Sequence, residues 1–328
     1  MNVMTITRKK PDLLFSLPRL INRLSRQFPG NERSELENYL YKIQAGYSGE
    51  LKVDKYLASV SHLASKTILT DVRLPLKSGS SFQIDTLIIS PKYILILEVK
   101  NVKGNLYFKT NPYYLLRELD ESETVMECPI TQLELAKLNL NQWLQQHGIN
   151  TKVHGEIVLA SKSAFIKEIP NNSPVTYLKR LSLSLFEKED FPEIFDHQQV
   201  QNIIQLIERH QIKYQPPPLC EYFNINIKSL KLGQLCVHCS ESTIYKTERT
   251  QHCPYCKTDQ PNNFWEPIAD WFLLVDKFIT NAQCRYFLDL KNKQDANYKL
   301  NLLGLNKRGR SVNTSYFCSY QRLFKDNQ

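Results

Sequence analysis

The sequence predicts an α/β protein: a mixed core of order α-β-β-β-α-β, then a small cysteine-bearing hairpin, then an α+β helix-turn-helix with a wing. Three observations predict it. Over residues 34–165, apolar runs of strand length separated by turn residues alternate with amphipathic helical segments. Cys236, Cys239, Cys253 and Cys256 form two C-x2-C pairs with a short insert between them. Residues 262–328 hold helical periodicity, a capping-box start, a glycine stop and a basic segment before a β-like tail.

Composition sets the outer bounds. A chain of 328 residues is long enough for two or three domains with a proper core. A net charge of +9 favours a polyanionic partner. No apolar run reaches the length of a membrane span, and the N-terminus lacks a continuous apolar core of the signal-peptide kind. A cytoplasmic protein with no membrane partner is expected; its oligomeric state is not legible. Cys128, Cys220, Cys284 and Cys318 are scattered and read as small buried apolar residues.

The elements follow in order. Residues 1–33 are basic and contain proline, and read as an N-terminal arm. A helix is predicted over about 34–63, loosened near Gly46 and Gly49, where glycine permits close approach to a sheet. Strands are predicted at 67–74, 81–90 and 93–101, then a hairpin over 106–119. A helix starts after Pro129 and reaches about Gln146, and 153–161 reads as a further buried strand. Residues 166–215 read as a helical extension of this core, with a loop around Pro170–Pro174 and a helix over 198–210. Pro216, Pro217 and Pro218 open an expected linker over 216–232.

Acidic residues interrupt the most apolar part of the chain. Residues 82–100 read FQIDTLIISPKYILILEVK. Alternate strand residues share a face, so Glu98 and Lys100 project to one side. Asp85 lies on the neighbouring strand of the hairpin. Two carboxylates and a lysine at one sheet edge suit a hard cation such as Mg2+ and a phosphate. A solvated strand end would also explain Glu98 and Lys100. It would not explain Asp85 inside an apolar run, because an unpaired buried carboxylate is costly.

This pattern resembles the PD-(D/E)xK nuclease superfamily, and more closely the nuclease-related domain (NERD) family. The matching segments are GYSGE ending at Glu50, QID ending at Asp85, EVKN from Glu98 to Asn101, and PITQ ending at Gln132. The resemblance implies a restriction-endonuclease-like core that hydrolyses phosphodiesters with Mg2+ (or Mn2+), with Glu50, Asp85 and Glu98 near the metal. It implies that Lys100 neutralises developing charge or holds the attacking water, and that Gln132 lies close to the same site. Read alone, Glu50 suits an exposed helix position equally well, and Gln132 a helix start. The expected function is a metal-dependent nuclease acting on DNA. The alternatives are a non-catalytic nucleic-acid-binding protein retaining a nuclease fold, and an RNA-processing nuclease.

Each C-x2-C pair over 233–258 places two thiolates round one ion, and two pairs close a tetrahedron. One structural Zn2+ in a zinc ribbon is expected, with His238 and His252 outside the ligand set. In the last segment, Thr280-x-x-Gln283 opens a second helix and a third runs from about Lys293 to Leu303. That third helix would offer Lys293, Gln294, Asn297 and Tyr298 to a DNA groove. Lys307, Arg308 and Arg310 on a basic loop would grip phosphates. A small helical bundle with a solvated basic surface is the plainer reading of the same residues.

Overall fold

A computed structural model describes residues 6–63, 66–310 and 313–325. The outermost residues of the expected arm and of the C-terminal tail lie outside that set. The described chain divides into two compact units. One holds the residues up to Lys10 together with Gln44–Tyr214; the other holds Pro11–Ile43 and the residues from Gln215 on. Two helices open the chain, α1 (Leu13–Arg23) and α2 (Gly30–Ala58). The start of α2 packs Leu36, Leu40 and Ile43 into the core of the second unit, and its end packs Val53 and Leu57 into the first. The expected loosening is absent: α2 is unbroken through Gly46 and Gly49. A glycine costs a helix only about 1 kcal/mol, less than the packing gained at both ends.

The first unit continues with β1 (Thr67–Pro75), β2 (Ser81–Ile89), β3 (Ile94–Lys100), β4 (Gly104–Thr110), β5 (Tyr113–Leu119) and β6 (Ser122–Met126). Then come α3 (Pro129–Gln146), β7 (Val153–Leu159), β8 (Ala164–Glu168), β9 (Val175–Tyr177), α4 (Leu181–Glu187) and α5 (His197–His210). A five-stranded sheet takes the order β1-β2-β3-β7-β9. β1, β2 and β3 pair antiparallel, whereas β7 pairs parallel with β3 and β9. β3 explains the continuous apolar run: Ile94 and Ile96 pack in one core with α3 and α5, Leu95 and Leu97 in another with α2 and α4. The predicted hairpin belongs to a second sheet, β6-β5-β4-β8, in which β6 was not foreseen. The stretch over 166–215 is not purely helical. β9 extends the first sheet and β8 lies in the second, because parallel edges of both sheets accept them.

The second unit holds α6 (Leu219–Tyr222), β10 (Ile244–Tyr245), β11 (Thr250–His252) and β12 (Asp259–Pro261). α7 (Trp265–Asp270) runs on as a π-helical turn over Trp271–Val275. After it come β13 (Ile279–Thr280), α8 (Asn281–Phe287), α9 (Lys293–Leu302), β14 (Asn306–Arg308), β15 (Ser315–Phe317) and α10 (Arg322–Lys325). The strands form two antiparallel sheets, β10-β11-β12 and β13-β15-β14. The capping box at Thr280 forms as expected, with the Thr280 side chain accepting from Gln283 N and the Gln283 side chain from Thr280 N.

Two expected connectors are core elements here. Most of the expected arm is α1, whose Leu17, Leu20 and Leu24 are buried with Trp271, Phe287 and Leu300. Arg23 is 1% exposed and pairs with Asp270, which also takes Arg19. The basic residues that suggested an arm are thus neutralised internally. Within 216–232, Leu219, Cys220, Ile225 and Leu230 join the same core. The prolines introduce a short helix, buried at Leu219 and Cys220, in place of a free linker. Cys128, Cys220 and Cys284 are buried free thiols and Cys318 is partly buried. Among the described residues, no helix is long and apolar enough to cross a membrane.

Candidate functional site

The acidic centre of the first unit is built where two strands part. Pairing of β2 with β3 runs only as far as Thr86 opposite Leu97, while β3 stays paired with β7 through Lys100. One edge of β3 is therefore open over Glu98–Lys100. Asp85, the next residue of β2, fills the gap: its Oδ2 accepts from Val99 N at 3.0 Å. A backbone donor that lost its ladder partner is satisfied by a carboxylate. Glu98 and Lys100 lie two residues apart on one face, with Lys100 Nζ 2.7 Å from Glu98 Oε1.

The charge balance here is strained toward the acids. Burial, then the nearby Glu98 carboxylate, pushes Asp85 up to about 7, against the Val99 hydrogen bond and Lys100. Two partly buried carboxylates at a strand edge fit a hard cation, which Mg2+ satisfies through one or two carboxylates plus water and phosphate oxygens.

Glu50 lies on α2, where its Oε2 accepts from Arg8 Nη1 at 3.1 Å, and its charge is near enough to help raise the Asp85 carboxyl. Burial raises the pKa of Glu50 itself, with Arg8 opposing. Among the described residues, Glu50, Asp85 and Glu98 do not form a group with ligand atoms all within 4.8 Å of one another; only the cysteine quartet does. Gln132, in the first turn of α3, donates from Nε2 to Glu127 Oε2 at 2.5 Å, and its buried Oε1 has no hydrogen-bond partner.

Three residues of this centre, Arg8, Asp54 and Asp71, went unseen in the sequence, and Asn101 entered only as the end of the EVKN segment. Arg8 is 2% exposed at its side chain and reaches Asp54, Thr86 and the Asp85 carbonyl as well as Glu50. Asp54 carries a readable signal, since it follows Glu50 by four residues on one helix face. Arg8 carries none, as it is one basic residue among several. Asp71 interrupts β1 with φ 52°, so that pairing passes from Thr70–Thr86 to Val72–Ile84, and it accepts from Gln83 Nε2 at 2.7 Å. Asn101 ties β3 to α2, donating to Ala45 O at 2.8 Å. A Cβ on Gly49 would lie 2.5 Å from Asn101 Cβ. Gly49 thus permits the close approach that sets Glu50 beside the sheet. Gly46 has nothing within 4 Å and plays no such part.

In the second unit, Cys236, Cys239, Cys253 and Cys256 converge with all four sulfurs within 4.8 Å of one another. The two C-x2-C turns share a geometry. Ser240 N bonds Cys236 O and Lys257 N bonds Cys253 O, each at 2.9 Å, with positive φ at Ser240 and Lys257. Four thiols at this separation fit a tetrahedral Zn2+. His238 is exposed, and His252 Nδ1 contacts Asp259 Oδ1 at 2.7 Å.

Farther along, Lys293, Gln294 and Tyr298 are exposed on α9, with Tyr298 at 63%. Asn297 is half-buried, its Oδ1 accepting from Asn281 Nδ2 at 2.7 Å. Lys307 and Arg308 lie on β14 and Arg310 just past it, all exposed. The expected basic loop is therefore mostly a strand, paired with β15.

No curated protein and no solved structure matches the chain. Residues 45–160, which include Glu50, Asp85, Glu98, Lys100 and Gln132, match the family model of the nuclease-related domain, NERD.

Proposed function

We propose that the protein is a metal-dependent nuclease that hydrolyses phosphodiester bonds, most naturally those of DNA. The observation that carries this is Asp85, Glu98 and Lys100 gathered at the parting of β2 and β3, inside the matched segment. Asp85 and Glu98 would hold Mg2+ or Mn2+. The ion would supply Lewis-acid polarisation of a phosphoryl oxygen. Lys100 is placed to give its ammonium to a phosphate oxygen as negative charge develops there. Glu98 holds that ammonium in position at the strand edge.

The second unit supports a substrate-holding role. Its order α7-β13-α8-α9-β14-β15 suits a winged helix, with α9 as the groove-facing helix and β14-β15 as the wing. The cysteine quartet would hold one structural Zn2+. Four thiolates leave no open coordination position, so the ion would brace the hairpin and take no part in chemistry.

Incubation of the purified protein with Mg2+ or Mn2+ and labelled linear, circular and single-stranded DNA and RNA tests the proposal. Cleavage is expected, abolished by Asp85→Asn or Glu98→Gln and slowed about 100-fold or more by Lys100→Ala. Undiminished cleavage by both acid variants would remove the assignment. Cleavage of RNA alone would favour the processing reading.

A further inference from the structure

Arg8 spends all its hydrogen-bonding capacity on the acidic centre. A guanidinium has five N–H groups. Nε donates to Asp54 Oδ2 at 2.7 Å. Nη2 donates to Asp54 Oδ1 at 2.9 Å and to Thr86 Oγ1 at 2.7 Å. Nη1 donates to Glu50 Oε2 at 3.1 Å and to the Asp85 carbonyl at 2.9 Å. Those last two, a carboxylate oxygen and a backbone carbonyl, are oxygens of the kind a hard cation takes. The guanidinium already bridges them, it keeps its charge at any working pH, and it is almost fully buried. No hydrogen bond links Arg8 to the Asp85 carboxylate or to Glu98. The first of these bonds Val99 N and the second bonds Lys100.

We propose that Arg8 stands in for a second metal ion at this centre: the chain takes one divalent cation, at Asp85 and Glu98, and Glu50 is a partner of Arg8 and not a metal ligand. The proposal rests on the metal-dependent reading above. It makes Arg8, in the segment ahead of α1 and outside the family match that begins at residue 45, a positioning residue of the site. An ion entering beside Glu50 would have to expel the guanidinium, leaving Asp54 buried without its partner.

Mn2+ binding to the full-length zinc-loaded protein, followed by electron paramagnetic resonance, tests this without reference to cleavage. Wild type should bind one Mn2+. Glu50→Gln, which can still accept from Arg8, should keep the Kd within about threefold, whereas Asp85→Asn should weaken it at least about 30-fold. Arg8→Ala should gain a second, weaker Mn2+ that is lost again in the Arg8→Ala/Glu50→Gln pair. Two Mn2+ ions on wild type, or a loss of about tenfold or more in Glu50→Gln, would overturn the proposal even if Arg8→Ala fails to fold. A folded Arg8→Ala protein that still holds one ion would reduce Arg8 to a tether and also overturn it. No Mn2+ on wild type would sink the metal-dependent reading itself, an outcome distinct from two.

Discussion

Asp85 carries two duties that pull its protonation in opposite directions. Its carboxylate caps the open edge of β3, yet it is crowded by Glu98 and partly buried. Raised from an ordinary 3.8 to about 7, it holds its proton in the folded chain where the unfolded chain has lost it. Its contribution to stability is therefore fully present at low pH and is lost as pH rises toward about 7. Without added divalent metal, Asp85→Asn should be more stable than wild type, and the gap in Tm should widen between about pH 5 and 7 and level above that. The slope should not exceed about 1.4 kcal/mol per pH unit for one group. Thermal melts of both proteins across this range decide it. A gap that narrows with rising pH would show that the Val99 hydrogen bond outweighs burial.

At the scale of elements, α2 shows how one residue sets a helix against a sheet. Gly49→Ala would force its Cβ against Asn101 and should cost about 1–3 kcal/mol. Gly46→Ala, in open space on the same helix, should instead stabilise by roughly 0.5–1 kcal/mol. Denaturation of the two variants gives the comparison, and equal effects would mean that α2 can shift away from β3. The β14–β15 hairpin invites a different test. Lys307, Arg308 and Arg310 are exposed on and just past its first strand, Lys307 over the Tyr316 ring and Arg308 over that of Phe278. Replacing all three by Ala should flatten the dependence of log K on log salt by roughly 2–3 units on duplex DNA. Superimposable binding curves would leave the hairpin as a solvated surface.

At the scale of the whole molecule, the division into units does not follow the order of the sequence. The unit that holds the cysteine quartet also owns α1 and the start of α2, through Leu17, Leu20, Leu24 and Leu36 and through the buried Arg23–Asp270 pair. A fragment of residues 215–328 would expose that core and leave Asp270 buried without its arginines, a defect of about 3–5 kcal/mol by itself. It should show no cooperative melt even with Zn2+, whereas linking residues 11–43 to it should restore one. Calorimetry on the two forms checks this. A cooperative melt of the short fragment would show that α1 is dispensable.

Local periodicity and spacing carry a large part of the fold. β1, β2, β3, α3 and β7 fall within one or two residues of their predicted bounds, because each has a strong apolar pattern and a clear turn or proline at its edge. The meeting of Asp85, Glu98 and Lys100 at one sheet edge was legible because charge inside an apolar strand has few structural explanations, and the convergence of the four cysteines because two C-x2-C turns suit one centre. What depends on partners far apart in the chain emerges only on folding. Arg8 meets Thr86 across 78 residues and Arg23 meets Asp270 across 247, and no window of sequence contains both members. The turning of Asn297 toward Asn281, the pairing of Glu50 with Arg8 and the burial of α1 are of the same kind. The polar pairings follow from which desolvated group finds a counter-charge or a hydrogen bond once the chain has closed, and the burial of α1 from the apolar face that Leu17, Leu20 and Leu24 offer to the second unit's core.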